Sequence, residues 1–374
     1  MQDHPINRER LLDTFLELVH INATSRHEGP MAQRVSEMFT ELGAEVIVDD
    51  AAPKMGGEIG NIIVRVPGTV AGPALLFNAH LDSVDPTEGL QVQRTGGLIT
   101  SDGTTILAAD DRSGVAAIIE MARTLQETQT PHPPLELVFT VAEEVGLMGS
   151  QVMDYSLLTA KHCFVADGTG PVGILFTSAP AQQNLDITIH GRASHAGVAP
   201  ERGISAITVA ARAIAGMQQG RIDEETTANI GIIHGGKATN IVPDTVTIKG
   251  EARSRNAAKL AAQVNYMRSC FEEAAQRSGA TVDIEVNDVY PSFNIPESGR
   301  TVALAKLALA EMGITPVVVG TGGGSDANFF NAHGIQTVIL SCGYQNAHGK
   351  NEECDEEQLV LLAEQLFHIA RLAV

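Results

Sequence analysis

The run LELVFTVAEEVG occupies residues 135–146 and contains the pattern that decides the fold. Its apolar part, from Leu135 to Val141, is nearly continuous, which is typical of a strand buried on both faces of a sheet. Similar apolar runs occur elsewhere in the chain, at residues 61–66, 74–77, 163–165 and 337–340. Because helical stretches separate many of these runs, the sequence predicts an α/β fold with a mostly parallel sheet.

The middle of the chain follows a different pattern. Leu185, Ile187 and Ile189 alternate with polar residues, which indicates a strand with one face in water. A helix, two strands, a long helix and a last strand follow, at residues 204–217, 227–233, 245–252, 257–278 and 282–289. The order β-α-β-β-α-β is that of a ferredoxin-like unit. The sequence therefore predicts a small domain, residues 181–293, inserted into a larger one made of residues 1–180 and 294–374.

Length, charge and cysteine usage narrow the functional classes. A chain of 374 residues is too long for one ordinary core, which again indicates two domains. The net charge of -20 disfavours nucleic acids and anionic membranes as partners, because both require a basic surface. No apolar stretch reaches the roughly 18 residues of a membrane span, and Met1 to Arg10 lack a secretory apolar segment, so we expect a cytoplasmic protein. The 4 cysteines are widely separated, which indicates reduced thiols.

Histidine and acidic residues follow several apolar runs, at the strand ends where open parallel sheets bind ligands. His80 and Asp82 are two positions apart and share a face, so Asp82 can accept the second ring N–H of a metal-bound His80. Asp110 and Asp111 begin a helix that extends to about residue 125, and one can cap the helix while the other bridges two cations. Taken singly, these motifs also fit a structural histidine and an ordinary helix cap.

Two adjacent acids, Glu143 and Glu144, come directly after the apolar run and Ala142. Neighbouring carboxylates repel each other unless cations or a shared proton compensate for their charge. A surface turn is the alternative, but the burial predicted for the preceding strand weakens it. The pair is therefore a candidate for cation binding.

Asp167 and His348 complete the set of candidates. Asp167 comes just after the run at 163–165, and His348 follows the run at 337–340 and a short loop. His333 competes with His348 for the role of second histidine. We prefer His348 because it lies beyond the end of the predicted strand rather than before its start.

The whole set suits two divalent cations. The available ligands are two imidazoles and three carboxylates, from His80, His348, Asp110, Glu144 and Asp167. The three carboxylates and a bridging hydroxide would balance the four charges of two ions. Ions about 3.5–4 Å apart polarise a carbonyl and lower the pKa of water. Glu143 remains free to act as the general base, so the sequence predicts a two-metal hydrolase.

With these residues considered together, the sequence resembles the M20 family of metallopeptidases, and within it the peptidase T-like branch. The matching stretches are Asn78–Asp82, Ser101–Leu107, Ala109–Asp111, Ala142–Gly146, Ala166–Gly168, Gly191–Gly197, Thr239–Asp244 and His348–Glu352. The resemblance covers essentially the whole chain and implies a peptidase for tripeptides or dipeptides, with zinc, cobalt or manganese as its ions. Aspartate at position 167 is typical of the aminopeptidase and dipeptidase members, whereas Ala109 replaces a usual glycine.

The resemblance also implies residue roles. One ion would be held by His80 and Asp167 and the other by Glu144 and His348, with Asp110 as the bridge. Asp82 would orient His80, and the bond between Asp110 and Asp111 would be cis. The inserted domain is expected to serve as a lid and to form a homodimer, sending His195 to the active site of the partner subunit as a catalytic residue. Expected substrate-binding residues are Asn240, Arg253, Gly323 and Ser325.

Three other functions remain open from the sequence. An N-acyl-amino-acid or carbamoyl amidohydrolase of the same family would use the same motifs, because both reactions attack an amide carbonyl. A non-catalytic peptide-binding protein would not need the complete set of ligands and Glu143. A nucleotide-binding protein is suggested by the glycine-rich segment Thr321–Asp326, but this segment lacks the Lys-Ser/Thr end of a P-loop.

Overall fold

The computed structural model describes residues 5–374, which form two compact units. The first unit contains the residues up to Ser178 together with Asn294–Thr321 and Ser325–Val374. The second contains Ala179–Phe293 and Gly322–Gly324. The chain thus leaves the first unit, forms the second and returns. No helix within residues 5–374 is long and apolar enough to cross a membrane.

The helices and strands are numbered in chain order. The α-helices of the described residues are α1 Arg8–Val19, α2 Gly29–Glu41, α3 Ala51–Met55, α4 Ala109–Thr128, α5 Met148–Val152, α6 Ala206–Gly216, α7 Ala257–Ser278, α8 Arg300–Glu311, α9 Ala327–Ala332 and α10 Glu356–Leu372. The strands of the first unit before the insertion are β1 Glu45–Val48, β2 Ile62–Val66, β3 Leu75–His80, β4 Val92–Thr95, β5 Leu98–Ser101, β6 Leu135–Thr140, β7 His162–Gly168 and β8 Ile174–Ala179. Those that follow are β9 Ala181–His190, β10 Ser194–His195, β11 Gly220–Arg221, β12 Thr226–Gly235, β13 Ile241–Val242, β14 Thr245–Ser254, β15 Thr281–Tyr290, β16 Phe293–Asn294, β17 Val317–Gly320, β18 Gln336–Ser341, β19 Tyr344–Gln345 and β20 Glu353–Asp355.

The main sheet has the strand order β1-β2-β6-β3-β7-β18-β8-β16, with β17 also paired to β8. Its four central strands are parallel, since β3 is parallel to β6 and β7, and β18 is parallel to β7. Strands β3 and β6 are buried along their whole length, as their continuous apolar runs predicted. Helix α4 packs on β3 and against α1 and α10. The predicted α/β class with a mostly parallel sheet is confirmed.

A second, smaller sheet of the first unit was not predicted. Its strand order is β19-β20-β5-β4, and its strands are two to four residues long. Strands this short carry no readable period of apolar residues. This sheet joins the hairpin of β4 and β5 to the chain beyond the last long strand.

The second unit is an antiparallel sheet of order β11-β12-β14-β9-β15, with α6 and α7 packed on it. Its long elements follow the predicted order β9-α6-β12-β14-α7-β15, so the unit is the ferredoxin-like insertion that the sequence predicted. Helix α7 begins where the side chain of Asn256 accepts hydrogen bonds from Ala258 N and Lys259 N, and it ends at Gly279 with a φ of 69°.

Candidate metal centre

Three parallel strands end at one edge of the main sheet and bring candidate ligands together. His80 is the last residue of β3, and Asp167 lies near the end of β7. Glu143 and Glu144 follow β6 after two residues. Because β3 lies between β6 and β7 and is parallel to both, the carboxyl ends of the three strands meet at this edge.

Asp110 and Asp111 have separate roles at the start of α4. Asp111 caps the helix, since its Oδ1 accepts a hydrogen bond from Gly114 N at 3.1 Å, and its Oδ2 accepts one from His80 N at 3.2 Å. Gly114 itself allows α4 to approach β7, because a Cβ at this position would collide with the carbonyl oxygen of Ala166. The Asp110–Asp111 peptide bond is cis, and the Asp110 carboxylate is left to face the cluster.

The two oxygens of Asp110 face two different histidines. Oδ1 lies 3.0 Å from His80 Nε2, and Oδ2 lies 3.4 Å from His348 Nε2. His80 Nε2 is also 3.7 Å from Asp167 Oδ1, and His348 Nε2 is 2.9 Å from Glu144 Oε2. Two groups of ligand atoms therefore share Asp110: His80, Asp110 and Asp167 form one, and Asp110, Glu144 and His348 form the other, each with its atoms within 4.8 Å.

Asp82 joins the histidine side of the cluster to the two glutamates. Its Oδ1 lies 3.4 Å from His80 Nδ1 and accepts a hydrogen bond from Glu143 N at 3.0 Å. Its Oδ2 accepts from Glu144 N at 3.1 Å and from Ser25 Oγ at 2.6 Å. The sequence predicted only the contact with His80. The bonds to the backbone of both glutamates show that this buried carboxylate also shapes the loop that carries them.

The carboxylates of the cluster repel one another, because the two histidines supply too little positive charge to balance them. Burial, with Asp110 nearby, raises the pKa of Asp167 well above its usual range, and burial with like charges does the same for Glu143. The hydrogen bonds that His348 donates to the carboxylates of Asp110 and Glu144 raise its pKa to about 10. Burial alone would raise the pKa of Asp110, but the hydrogen bonds from both histidines lower it. Bound cations would relieve this repulsion.

The residues present fit a pair of divalent cations. Each ligand group contains one imidazole and carboxylate oxygens, a donor set that suits zinc, cobalt or manganese. The Oε1 atom of Glu144 is buried and has no hydrogen-bond partner within residues 5–374. Buried polar atoms normally have a partner, so this oxygen is a candidate metal ligand. The shared Asp110 supplies one oxygen to each group, which is the arrangement of a bridging carboxylate.

Several supporting residues were missed by the sequence reasoning. Glu352, which is 1% exposed, accepts hydrogen bonds from Leu107 N, Ala108 N and Asp110 N, and thereby fixes the loop before Asp110. Arg112 is fully buried and donates to the carbonyl oxygens of Leu81 and Asp82. The signals were present, because Arg112 directly follows the aspartate pair and Glu352 ends a stretch already noted, but neither residue is a metal ligand by spacing.

The other predicted residues lie outside these ligand groups. His333 stacks on Tyr155 with ring centroids 3.7 Å apart and bonds to Phe329 O, so it is not one of the clustered histidines. Ser325 is buried at the start of α9, where its N–H donates to Asn328 Oδ1. The remaining four, His195, Asn240, Arg253 and Gly323, belong to the second unit.

Within the second unit, His195 and Asn240 are neighbours. His195 pairs with Ile241 in the short ladder of β10 and β13, and Ala196 N donates to Asn240 O at 2.9 Å. His195 is exposed, and its Nδ1 accepts a hydrogen bond from Gly197 N at 3.2 Å. Arg253 lies in β14 and forms an ion pair with Glu251 at 2.9 Å.

The cluster of imidazole and carboxylate ligands at the strand ends of a mostly parallel sheet has the chemistry of a metal-dependent hydrolase. Comparison with known families agrees with this class. The chain belongs to peptidase family M20/M25/M40, whose family model matches residues 76–372.

Three similar proteins span nearly the whole chain. The uncharacterised protein YqjE of Bacillus subtilis strain 168 is 43% identical over 364 residues, covering 97% of this chain and 98% of its own. The aminopeptidase PepT of Bacillus cereus has a solved structure with a TM-score of 0.90 and 43% identity, covering 99% of both chains. A tripeptidase of Staphylococcus aureus has a TM-score of 0.94 and 38% identity, covering 98% of this chain and 99% of its own. The predicted M20 membership and peptidase T-like resemblance are confirmed.

Proposed function

We propose that this peptidase is a two-metal aminopeptidase that removes the N-terminal residue of short peptides, tripeptides or dipeptides. The observation that carries the proposal is the Asp110 carboxylate, whose two oxygens face the two histidines of neighbouring ligand groups. A single ion would need only one of these groups. The similarity to an aminopeptidase and a tripeptidase at 43% and 38% identity supports the choice of peptide substrate.

The residues that would hold the ions divide evenly around Asp110. His80 and Asp167 would hold one ion and Glu144 and His348 the other, and Asp110 would supply an oxygen to each. When bound, the pair of ions polarises the scissile carbonyl and lowers the pKa of water. Zinc is the proposed metal, with cobalt and manganese as alternatives, because the ligands are imidazole nitrogen and carboxylate oxygen without sulfur.

Glu143 is the proposed general base. It lies outside the two groups that share Asp110, although it forms a third group of candidate ligand atoms with His80 and Glu144. Asp82 accepts a hydrogen bond from the backbone N–H of Glu143. In the chain without ions, the Glu143 carboxylate is buried among like charges, which raises its pKa well above the usual range of a glutamate. A buried carboxylate close to the ligand groups is suited to the role of a general base. Glu143 takes a proton from the attacking water and passes it to the leaving amine. Asp82 orients His80 through the contact with Nδ1.

His195 is proposed as a donor that stabilises the tetrahedral oxyanion. Because Gly197 N donates to Nδ1, the neutral imidazole carries its proton on Nε2, which can then donate to an oxyanion. Asn240, Arg253, Gly323 and Ser325 are proposed to contact the substrate. Their roles rest on the family resemblance.

A homodimer is proposed to form through the inserted unit, with His195 acting on the substrate of the partner subunit. Strand β12 is an edge strand beyond Ala228, because among the described residues its outer side pairs only with β11, at Thr227 and Ala228. Ile232 and Ile233 on this open stretch are 46% and 49% exposed. An exposed apolar edge is suited to pairing with a second copy. The cytoplasm is the proposed location.

The test is hydrolysis by the purified protein after chelation and after reloading with zinc, cobalt or manganese. Tripeptides, dipeptides and N-acyl amino acids should be compared at equal concentration. We expect no activity after chelation, recovery on reloading, and the highest kcat/KM on a peptide with a free N-terminus. Full activity of a verified metal-free protein would contradict the two-metal proposal. A preference for N-acyl or carbamoyl amino acids would instead identify an amidohydrolase with the same centre.

A further inference from the structure

The turn between α1 and α2 contacts the loop that carries Glu143. Residues 23–28 form this turn, and they precede residues 76–372, the part matched by the family model. Ser83 N donates a hydrogen bond to Ala23 O at 3.0 Å, and Thr24 forms a parallel bridge with Ser83. The turn is therefore attached to the chain directly after Asp82.

The first side chain of this turn that contacts the site is Ser25. Its hydroxyl donates to Asp82 Oδ2 at 2.6 Å. The same carboxylate accepts the backbone N–H groups of Glu143 and Glu144. Since a hydroxyl bound to a buried carboxylate is a charge-assisted bond, it restricts the rotation of Asp82 and with it the position of the loop.

The second side chain is Glu28, which is fully buried. Its Oε1 accepts hydrogen bonds from Ala142 N at 2.9 Å and from Arg26 N at 2.7 Å. Ala142 directly precedes Glu143 and has a φ of 52°, in the left-handed region that is unfavourable for a non-glycine residue. A backbone in this conformation needs support from its surroundings, and Glu28 bonds to the N–H of the residue in question.

Burying the carboxylate of Glu28 in this turn is energetically unfavourable. Glu28 is close enough to Asp82 for their negative charges to repel, and burial without an ion pair adds to the cost. An apolar side chain would fill this space without either penalty, but it would leave Ala142 N and Arg26 N without an acceptor. The geometry is better explained by a need to fix the loop than by packing.

We propose that Ser25 and Glu28 are positioning residues of the peptidase site. Ser25 acts through Asp82, and Glu28 acts through Ala142, so that two side chains of one turn hold the carboxylate of Glu143 in its working position. This inference rests on the proposed role of Glu143 as general base. It assigns a catalytic contribution to a segment that lies outside the residues matched by the family model.

The experiment compares Ser25→Ala, Glu28→Ala and Glu28→Gln with the control His27→Ala in the metal-loaded full chain. His27 lies in the same turn, but its side chain is 68% exposed and pairs with Glu58. We expect kcat to fall on the order of 10-fold for Ser25→Ala and 10²-fold for Glu28→Ala, since small displacements of a reacting group are this costly. Glu28→Gln keeps a carbonyl acceptor and should retain most of the rate. The KM and the metal content of these three variants should stay those of the wild type. The control His27→Ala should also keep the wild-type rate.

A second measurement separates positioning from stability. In a Glu143→Gln background the loss caused by Glu28→Ala should disappear, because residues that act through the same group are not additive. Equal losses in both backgrounds, or lower melting temperatures with unchanged kcat, would overturn the inference. If Glu28→Ala does not fold, the smaller change Ser25→Ala decides. An inactive metal-loaded wild type would instead contradict the proposed function.

Discussion

Asp110 is the residue on which the two halves of the candidate centre depend. Its oxygens lie 3.0 Å and 3.4 Å from the Nε2 atoms of His80 and His348. Its backbone N–H donates a hydrogen bond to Glu352 Oε1 at 3.0 Å, which also restricts the position of the Asp110 carboxylate. A residue shared by two ligand groups should affect both ions when it is removed, whereas a residue of one group should affect one.

The first prediction is a difference in metal content. Asp110→Ala should lose both ions, and His348→Ala should lose the one that it shares with Glu144. His333→Ala is the matched control and should keep two, because His333 bonds to Phe329 O and stacks on Tyr155. Elemental analysis after dialysis measures ions per chain. Retention of two ions by Asp110→Ala would contradict a bridging role.

The second prediction separates the two neighbouring glutamates. Glu143→Gln should keep both ions and lose about 10²- to 10⁴-fold in kcat, the usual share of a general base. Glu144→Gln should lose metal, because its Oε2 lies 2.9 Å from His348 Nε2. Glu58→Gln, an exposed glutamate, serves as a control for the chemical change. An empty centre in Glu143→Gln would mean that the roles of the two glutamates are exchanged.

At the scale of elements, the predictability of the fold follows burial. Strands β3 and β6 were predictable because both faces are covered, so most of their positions are apolar. The insertion was predictable from the alternation along β9 and from the lengths of its helices. The sheet of β4, β5, β19 and β20 was not, because strands of a few residues form only where tertiary contacts supply the partner.

The predictability of the candidate site depends on spacing. His80, Asp82 and the acid pairs stand out because strand ends and adjacent acids are visible in sequence. Ser25, Glu28 and Glu352 do not, because each is a single polar residue whose partner lies far along the chain. Ser25 donates to the side chain of Asp82, whereas Glu28 and Glu352 accept hydrogen bonds from the backbone N–H groups of Ala142 and Asp110. No local pattern of residue types records such distant bonds. The sequence thus indicates ligands more readily than the residues that hold them.

The third prediction concerns how the stability of the metal-free protein depends on pH, through the carboxyl groups at the strand ends. In the metal-free protein, burial and like charges raise the pKa of Asp167 and Glu143. A carboxyl with a higher pKa in the folded chain stabilises it below the unfolded pKa of about 4, and this stability is lost as the pH rises through the folded pKa. As the pH rises above about 4, the melting temperature of the chelated protein should therefore fall further below that of the loaded protein.

Differential scanning calorimetry of the loaded and chelated protein across this range provides the measurement. Comparing the same chain in both states cancels the titration of groups remote from the centre. A constant difference in melting temperature at every pH would contradict the prediction, because it would mean that the cluster binds no extra protons when the ions are absent.

At the scale of the whole molecule, the proposed homodimer makes the fourth prediction. His195→Ala and Glu143→Gln should each be nearly inactive as pure dimers. A hybrid of the two contains one site with an intact Glu143 from one chain and an intact His195 from the other. Activity should therefore reappear, up to a fraction of wild type, when the two proteins are mixed under conditions that exchange subunits.

Two outcomes would contradict the shared site, and a variant at the proposed interface provides a further test. Hybrids that exchange subunits yet stay inactive would rule out a shared site, as would a fully active monomer. Ile232→Lys with Ile233→Lys should weaken the dimer, because the change puts two charges on the open edge of β12. Analytical ultracentrifugation follows the loss of dimer, and the activity should decline with it.

The order of the ligands along the chain has a consequence for protein synthesis. His80, Asp110, Glu144 and Asp167 precede the inserted unit, whereas His348 and Glu352 follow it. The bond between Asp110 N and Glu352 joins positions 242 residues apart. A chain emerging from the ribosome therefore makes most of the ligands early but completes the second ion group only after the insertion has been translated. The nascent peptidase would therefore lack a complete metal centre until the chain beyond the inserted unit has been made.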